Sequence, residues 1–203
     1  MSENTIYVYV DGSANGNINV TKDTVAGWAI VGIMGNPGIN HDKGDLLFAG
    51  HGRVTCDLSD MNSLEAEVGS NNTAELSAFY WAVRYTRHHC FGHEIDISKY
   101  DLIIMTDSLY AGNIIDGEWK AKKNLNMVQK IRKTYFAHKG QFRNVEWRHV
   151  RAHSNNFWND KVDLLAKRAC TLRGDQTGFI PVGSDLLKDT TRLKSIVDNA
   201  SKN

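Results

Sequence analysis

The stretch "IYVYVDGSANGN", residues 6–17, decides the fold because an apolar run ends there in a carboxylate and then in turn-forming residues. Its alternation places the isoleucine and the valines on one face of a strand and the two tyrosines on the other. Asp11 ends the run, and glycine, serine and asparagine, which turns prefer, follow it. Taken alone, the pattern predicts a strand followed by an ordinary turn, so any further role for Asp11 depends on the rest of the chain.

Two further strands follow the first without a helical pattern between them. They are "VAGWAIVGI" at residues 25–33 and "LLFAGHGRVT" at residues 46–55. Both runs are rich in β-formers and bounded by turn residues. Three consecutive strands of this kind predict an antiparallel meander.

The remainder of the chain alternates helical and strand patterns. "DLIIMTD" at residues 101–107 and "QFRNVEWRHV" at residues 141–150 predict two buried strands. Helices are predicted from Asn71 onward, at residues 108–117, 124–138 and 159–174. This order predicts an α/β fold with a mixed five-stranded sheet, three antiparallel strands plus two parallel ones, flanked by helices.

Composition describes a folded domain with an appendage. Hydrophobic residues make up 41% of the chain and charged residues 23%, as in globular proteins. We place the domain at residues 1–174 and a C-terminal extension at residues 175–203, in which residues 184–199 fit an amphipathic helix. A net charge of +1 excludes attraction to nucleic acid by bulk charge, but it leaves room for a local basic face.

The sequence predicts an intracellular protein, cytoplasmic or nuclear. The N-terminus lacks a signal-peptide pattern, and no apolar run reaches membrane-spanning length. The three cysteines are far apart and odd in number, which is typical of reduced thiols.

Four carboxylates stand at the boundaries of predicted elements. Asp11 and Asp107 each end an apolar strand, while Glu75 and Asp163 lie early in helices, on the face expected to point inward. Each has an ordinary alternative. Asp107 also suits a helix N-cap, Glu75 a capping box begun by Asn72, and Asp163 the positive end of the helix dipole.

Together, these four acids predict one acidic cluster. Several carboxylates in a small volume need a counter-charge, and Mg²⁺ or Mn²⁺ is the natural occupant of an all-oxygen site. Such a site would hold one ion. An aspartate with acids on both sides would instead bridge two ions about 4 Å apart, an arrangement suited to phosphodiester displacement.

The chain resembles type 1 ribonuclease H, a family that cuts the RNA strand of RNA–DNA hybrids. The resemblance rests on "YVDGSANGN", "GSNNTAEL", "IIMTDSLY" and "VRAHSNNFWNDKVDLLAKRA", in the family's order across residues 4–173. It implies a ribonuclease H-like fold and a metal-dependent endoribonuclease. It also implies a two-metal-ion mechanism with Mg²⁺ or Mn²⁺, two ions per site with substrate, that leaves 5′-phosphate and 3′-hydroxyl ends.

The resemblance also assigns the site. It implies that Asp11 bridges both ions and that His153 is a mobile histidine assisting proton transfer or product release. The four metal-binding carboxylates would be Asp11, Glu75, Asp107 and Asp163. The implied substrate contacts are Gly12, Ser13, Asn17, Ser70, Asn71, Asn72 and Asn124.

The implied substrate contacts have separate roles. Gly12 and Ser13 would meet RNA 2′-hydroxyls, and the three asparagines at 17, 71 and 72 would read the minor groove. Ser70 and Asn124 would hold a phosphate of the DNA strand, although Val68 replaces the arginine often found in that pocket. Asp160 is a weaker candidate beside the metal.

The chain also departs from the family. Some members carry a basic protrusion that grips the hybrid, and here only "WKAKKN" at residues 119–124 occupies that region. This predicts a modest affinity for the hybrid that falls steeply as the salt concentration rises. The loop between the second and third strands and the segment 56–68 are longer than expected.

Two other functions stay open beside hybrid cleavage. They are a catalytically silent hybrid-binding module, which the four carboxylates argue against, and a DNA-processing nuclease of the same fold, which Glu75, the asparagine pair and the His153 loop disfavour. The expected partner is an RNA–DNA hybrid. We expect no membrane association and no obligate protein partner, and we expect the protein to be a monomer.

Overall fold

A computed structural model describes residues 4–16, 18–151, 156–172 and 178–200. Its strands are β1 (Thr5–Ala14), β2 (Ala26–Met34), β3 (Asp45–Arg53), β4 (Asp101–Thr106), β5 (Asn144–His149) and β6 (Gly178–Ile180). Its helices are α1 (Asn71–Gly92), α2 (Leu109–Asp116), α3 (Leu125–Lys139), α4 (Phe157–Ala169), α5 (Asp185–Lys188) and α6 (Thr190–Ala200). A 3₁₀ turn, Ile97–Lys99, precedes β4. Among the described residues, none of the helices combines the length and the apolar character needed to cross a bilayer.

The strands form one mixed sheet in the order β5-β4-β1-β2-β3-β6. The meander β1-β2-β3 is antiparallel, and β4 and β5 lie parallel to β1. The predicted α/β class and mixed sheet are confirmed, but the predicted count of five strands is one too low. The sixth strand, β6, comes from the C-terminal extension and pairs with the edge of β3. Three residues are too few for alternation to reveal a strand.

Both faces of the sheet are covered, which explains why β1 is apolar on both sides. Ile6, Val8 and Val10 pack against the layer formed by α1, α2 and α3. Tyr7 and Tyr9 pack with α4 and the C-terminal helices. The two faces read from the alternation are therefore the two cores of the molecule.

The C-terminal extension packs on α4. The amphipathic pattern over residues 184–199 forms two helices rather than one, because Asp189 is extended (φ −115°, ψ 96°) between α5 and α6. Leu187, Leu193 and Val197 are buried as the pattern predicts.

The parallel pairing of β1 with β4 positions the candidate site. Tyr9 lies beside Met105 in the register, so Asp11 and Asp107, each two residues further on, follow at the same edge of the sheet. The carboxyl ends of neighbouring strands are where α/β folds place their functional groups.

Candidate active site

Three carboxylates meet at the carboxyl ends of β1 and β4. One oxygen from each of Asp11, Glu75 and Asp107 lies within 4.8 Å of the others. Asp11 is 7% exposed and Glu75 4% exposed, while Asp107 is partly buried. The structure thus brings together three of the four acids that the sequence predicts to cluster.

Glu75 reaches this cluster because another pair of residues caps α1. The Ser70 hydroxyl accepts a hydrogen bond from the Thr73 amide (3.2 Å), and the Thr73 hydroxyl accepts one from the Ser70 amide (2.9 Å). The alternative in which Asn72 and Glu75 form the capping box is therefore wrong. Glu75 lies in the second turn, on the face that packs against β1, and its carboxylate points inward.

Gly12 is required by the close approach of α1 to β1. A Cβ atom at this position would lie 2.3 Å from the Glu75 backbone nitrogen and 2.6 Å from the Ala74 carbonyl carbon. The Gly12 amide donates to Asp11 Oδ1 at 2.8 Å. Gly12 lies within β1, so the turn predicted directly after Asp11 is wrong. The absence of a side chain at this position lets the helix bring Glu75 up to Asp11.

Burial and like charges make the cluster electrostatically unfavourable. Burial raises the pKa of Asp11 well above its ordinary value, and the charges of Asp107 and Asp163 raise it further. Burial also raises the pKa of Glu75, with Asp11 and Asp107 as the next causes. Unpaired buried carboxylates are costly, so this arrangement calls for a positive partner.

The donor set fits a hard divalent cation. Glu75 Oε2 is buried and has no hydrogen-bond partner among the described residues. Together with the oxygens of Asp11 and Asp107 it forms the all-oxygen environment that Mg²⁺ and Mn²⁺ favour. The residues present therefore match a metal site.

Asp163 lies close to this cluster but contacts a lysine. Its Oδ2 atom is 2.6 Å from Lys167 Nζ, one helical turn further along α4. Its charge still raises the pKa of Asp11, which places it within electrostatic range of the cluster. Sequence reasoning missed Lys167, although the spacing of four residues on one helix face is the signal that pairs it with Asp163.

Four predicted substrate contacts line one cavity of about 850 Å³. They are Ser70, Asn71, Asn72 and Asn124. Asn124 is buried in a left-handed conformation (φ 54°), and its Oδ1 accepts from the Glu67 amide at 2.9 Å. Asn124 therefore fixes the position of the backbone at Glu67 as well as lining the cavity.

The same cavity is basic on one side. Lys120, Lys122 and Lys123 line it together with Tyr110, whereas Trp119 does not line it and is 50% exposed. Tyr110 had no assigned role in the sequence, although it closes the motif "IIMTDSLY". Ser13, the next-to-last residue of β1, is partly buried. The predicted residues Asn17 and His153 lie outside the described residues.

A mixed sheet with an acidic centre at the ends of β1 and β4 defines a ribonuclease H-like protein. A sequence model of the RNase H family matches residues 3–171. The chain therefore belongs to the RNase H family, whose members are hydrolytic endoribonucleases. The resemblance to this family is thereby confirmed.

Named relatives agree with this assignment. The chain is 26% identical over 178 residues to Ribonuclease H of Ehrlichia ruminantium (strain Gardel). This alignment covers 81% of this chain and 93% of that protein. It is 24% identical over 183 residues to Ribonuclease H of Wolbachia pipientis wMel, covering 83% of this chain and 97% of that one.

Solved structures share the fold. RNase H1 from Halobacterium salinarum NRC-1 aligns with a TM-score of 0.55 at 18% identity, over 81% of this chain and 96% of that one. LC9-RNase H1, described as a type 1 RNase H with the type 2 active-site motif, aligns with a TM-score of 0.62 at 20% identity, over 97% of this chain and 86% of that one. LC11-RNase H1 in complex with an RNA/DNA hybrid aligns with a TM-score of 0.56 at 20% identity, over 81% of this chain and 96% of that one.

Proposed function

We propose that this protein hydrolyses the RNA strand of RNA–DNA hybrids at internal positions. The observation that carries the proposal is the buried cluster of Asp11, Glu75 and Asp107 at the carboxyl ends of β1 and β4. It stands in a chain of the RNase H family, so fold, family and acidic site support the same activity.

The proposed metal ligands are the four carboxylates. Asp11 clusters with Glu75 and Asp107 and is also within electrostatic range of Asp163, which suits it to bridge two ions. Two Mg²⁺ or Mn²⁺ ions held there would supply an activated water and charge stabilisation at the phosphate, giving 5′-phosphate and 3′-hydroxyl ends. Since all four acids come from one chain, we propose a monomeric enzyme.

Protein groups around the acids would select and orient the substrate. The backbone at Gly12 and Ser13 and the amides of Asn17, Asn71 and Asn72 would contact the hybrid in its minor groove. Amide side chains both donate and accept, as contacts to a 2′-hydroxyl require. We propose that His153 assists proton transfer or product release.

The lysine-lined cavity is the proposed place for the DNA strand. Ser70 and Asn124 lie in it beside Lys120, Lys122 and Lys123. Phosphate groups are drawn to such clusters irrespective of sequence. The three lysines supply positive charge at a pocket where Val68 stands in place of the family's arginine.

Cleavage of end-labelled duplexes tests the proposal. An RNA–DNA hybrid, double-stranded RNA and double-stranded DNA are each incubated with Mg²⁺, with Mn²⁺ and with chelator. We expect metal-dependent cleavage of the hybrid alone. The Asp107→Asn variant should lose it, while Asp45→Asn, an exposed matched control on β3, should retain it.

The other outcomes identify the competing functions. Hybrid binding without cleavage would indicate a silent binding module. Cleavage of double-stranded DNA would indicate a DNA-processing nuclease, and the roles proposed for the asparagines would be wrong.

A further inference from the structure

Two segments that the catalytic motifs do not explain contact the first two turns of α4. One is the loop 35–44 between β2 and β3. The other is the C-terminal extension, at the carbonyl of Leu187 in α5. We call these two contacts together the α4 clamp.

The loop caps the helix through tertiary hydrogen bonds. The amides of Phe157 and Trp158 donate to the carbonyls of Asn40 (3.3 Å) and His41 (3.2 Å). The first amides of a helix lack partners within it, and Asn156 at the N-cap position makes no side-chain capping bond. The loop therefore supplies acceptors that the helix's own N-cap side chain does not.

Side chains extend the contact beyond the backbone. Trp158 Nε1 donates to the Lys43 carbonyl at 2.9 Å. Lys161 is 1% exposed, its ammonium donates to the Leu187 carbonyl, and it lies 4.8 Å from the centroid of the Phe157 ring. A buried ammonium is costly unless it has a hydrogen-bond acceptor or an aromatic ring beside it. Because the Leu187 carbonyl is such an acceptor, moving Leu187 away from α4 would be unfavourable.

The loop is also tied to the strand that carries Asp11. The Tyr9 hydroxyl lies 2.6 Å from His41 Nδ1. Tyr9 is fully buried on β1, two residues before Asp11. One residue, His41, thus contacts α4 through its carbonyl and β1 through its ring.

The other end of α4 is fixed by close packing. A Cβ atom on Gly27 of β2 would lie 2.7 Å from Ala169 Cβ and 2.8 Å from the Ala166 carbonyl oxygen. Asp163 lies between this contact and the clamp. A helix held at both ends cannot slide or rotate, so its contacts set the distance between Asp163 and Asp11.

We propose that the α4 clamp positions Asp163 for metal binding, with His41, Trp158 and Lys161 as its positioning residues. This inference rests on the proposed function, in which Asp163 is the fourth metal-binding carboxylate. It also gives a role to the long loop and to the C-terminal extension.

Three substitutions test the clamp in the full-length protein. Lys161→Met keeps the aliphatic stem and removes the ammonium, and Trp158→Phe removes the indole donor. His41→Asn removes the contact to Tyr9 while tolerating the left-handed backbone at this position (φ 50°). Lys133→Met, at an exposed lysine of α3, is the matched control.

Two readouts do not depend on catalysis. Hydrogen exchange at the amides of Phe157 and Trp158 should accelerate in the clamp variants. Mn²⁺ binding to the protein alone, followed by electron paramagnetic resonance, should weaken by about 10-fold, the lower range for losing an outer support of a metal ligand. Lys133→Met should change neither quantity.

The Asp163→Asn background separates positioning from general destabilisation. If the clamp acts through Asp163, Lys161→Met should not weaken Mn²⁺ binding further in that background. Equal weakening in both backgrounds, or clamp variants that bind Mn²⁺ like the control, would overturn the inference. A wild-type protein that binds Mn²⁺ but leaves the hybrid intact would instead reject the proposed function while the clamp measurement stands.

Discussion

Glu75 is a buried acid whose Oε2 atom has no hydrogen-bond partner in the described part of the chain, and burial raises its pKa. We predict that Glu75→Gln stabilises the protein in chelator at pH 8 by about 1–3 kcal/mol, because a neutral amide removes the repulsion from Asp11 and Asp107. Thermal unfolding measures this difference. The same variant should lose hybrid cleavage.

Added Mg²⁺ should make the wild type more stable than the Glu75→Gln variant. A ligand that binds only the folded state raises its stability with concentration, so the wild type should gain more than Glu75→Gln. Glu118→Gln, at an exposed glutamate, is the control and should follow the wild type in both conditions. A Glu75→Gln variant less stable than the wild type in chelator would contradict the prediction.

His51 should make stability depend on pH in a way unrelated to the metal site. Burial and the neighbouring Arg168 lower the pKa of His51 to about 4. Between about 6.5 and 4 the unfolded chain binds a proton that the folded protein does not, so the stability present above pH 6.5 is lost as the pH falls. Because of His51, the free energy of unfolding should fall by about 2 kcal/mol from pH 7 to pH 5.

His51→Gln isolates that contribution. Glutamine does not titrate, and its oxygen can still accept from the Arg168 guanidinium, which lies 3.2 Å from His51 Nδ1. Urea unfolding at pH 7 and pH 5 should show a smaller loss in the variant than in the wild type. Equal losses would mean that His51 is protonated in the folded protein at pH 5.

At the scale of elements, the contact between α4 and β2 has no spare room. A Cβ atom at Gly27 would lie 2.9 Å from the Cys170 amide nitrogen as well as close to Ala166 and Ala169. Since backbone atoms cannot move aside cheaply, Gly27→Ala should cost about 1–3 kcal/mol of stability. Urea unfolding measures the loss.

A second glycine supplies the control for this substitution. Gly140 has φ −74°, and an added Cβ atom would meet nothing within 4 Å. Gly140→Ala should therefore be neutral or stabilising by up to about 1 kcal/mol. If both variants lose the same stability, close packing at Gly27 is not the cause.

The elements also differ in how far sequence could predict them. The strand β1 and the helix α1 follow from their local patterns, because alternation and apolar stripes need only neighbouring residues. The short strand β6 depends on a free edge at β3, and the cap of α4 depends on carbonyls of a loop more than a hundred residues earlier. Contacts between such distant segments leave no periodic signal.

For the molecule as a whole, a net charge of +1 makes local charge decisive for hybrid binding. Lys120, Lys122 and Lys123 line the cavity that holds Ser70 and Asn124. Replacing all three with glutamine should weaken hybrid affinity and reduce the slope of log affinity against log salt by about 2–3, since each phosphate contact contributes about 0.9. Fluorescence anisotropy in chelator, at several salt concentrations, measures both quantities without cleavage.

A charge-matched control tests whether location matters. Replacing the exposed lysines Lys133, Lys188 and Lys194 with glutamine removes the same charge away from the cavity. This variant should keep the wild-type slope. If both triple variants behave alike, the effect is one of net charge and the cavity does not hold the DNA strand.

The sequence by itself determined the α/β class, the family, the presence of the strands β1 and β4, and the four acids. These features are local, since the alternating residues of a strand and the aspartate that follows them lie within a dozen positions. Only the tertiary structure decided that Gly12 lets α1 bring Glu75 to Asp11, and that a loop and the C-terminal extension converge on α4. These distances depend on how whole elements pack, and packing is decided by shape and hydrogen bonding between segments remote in the chain.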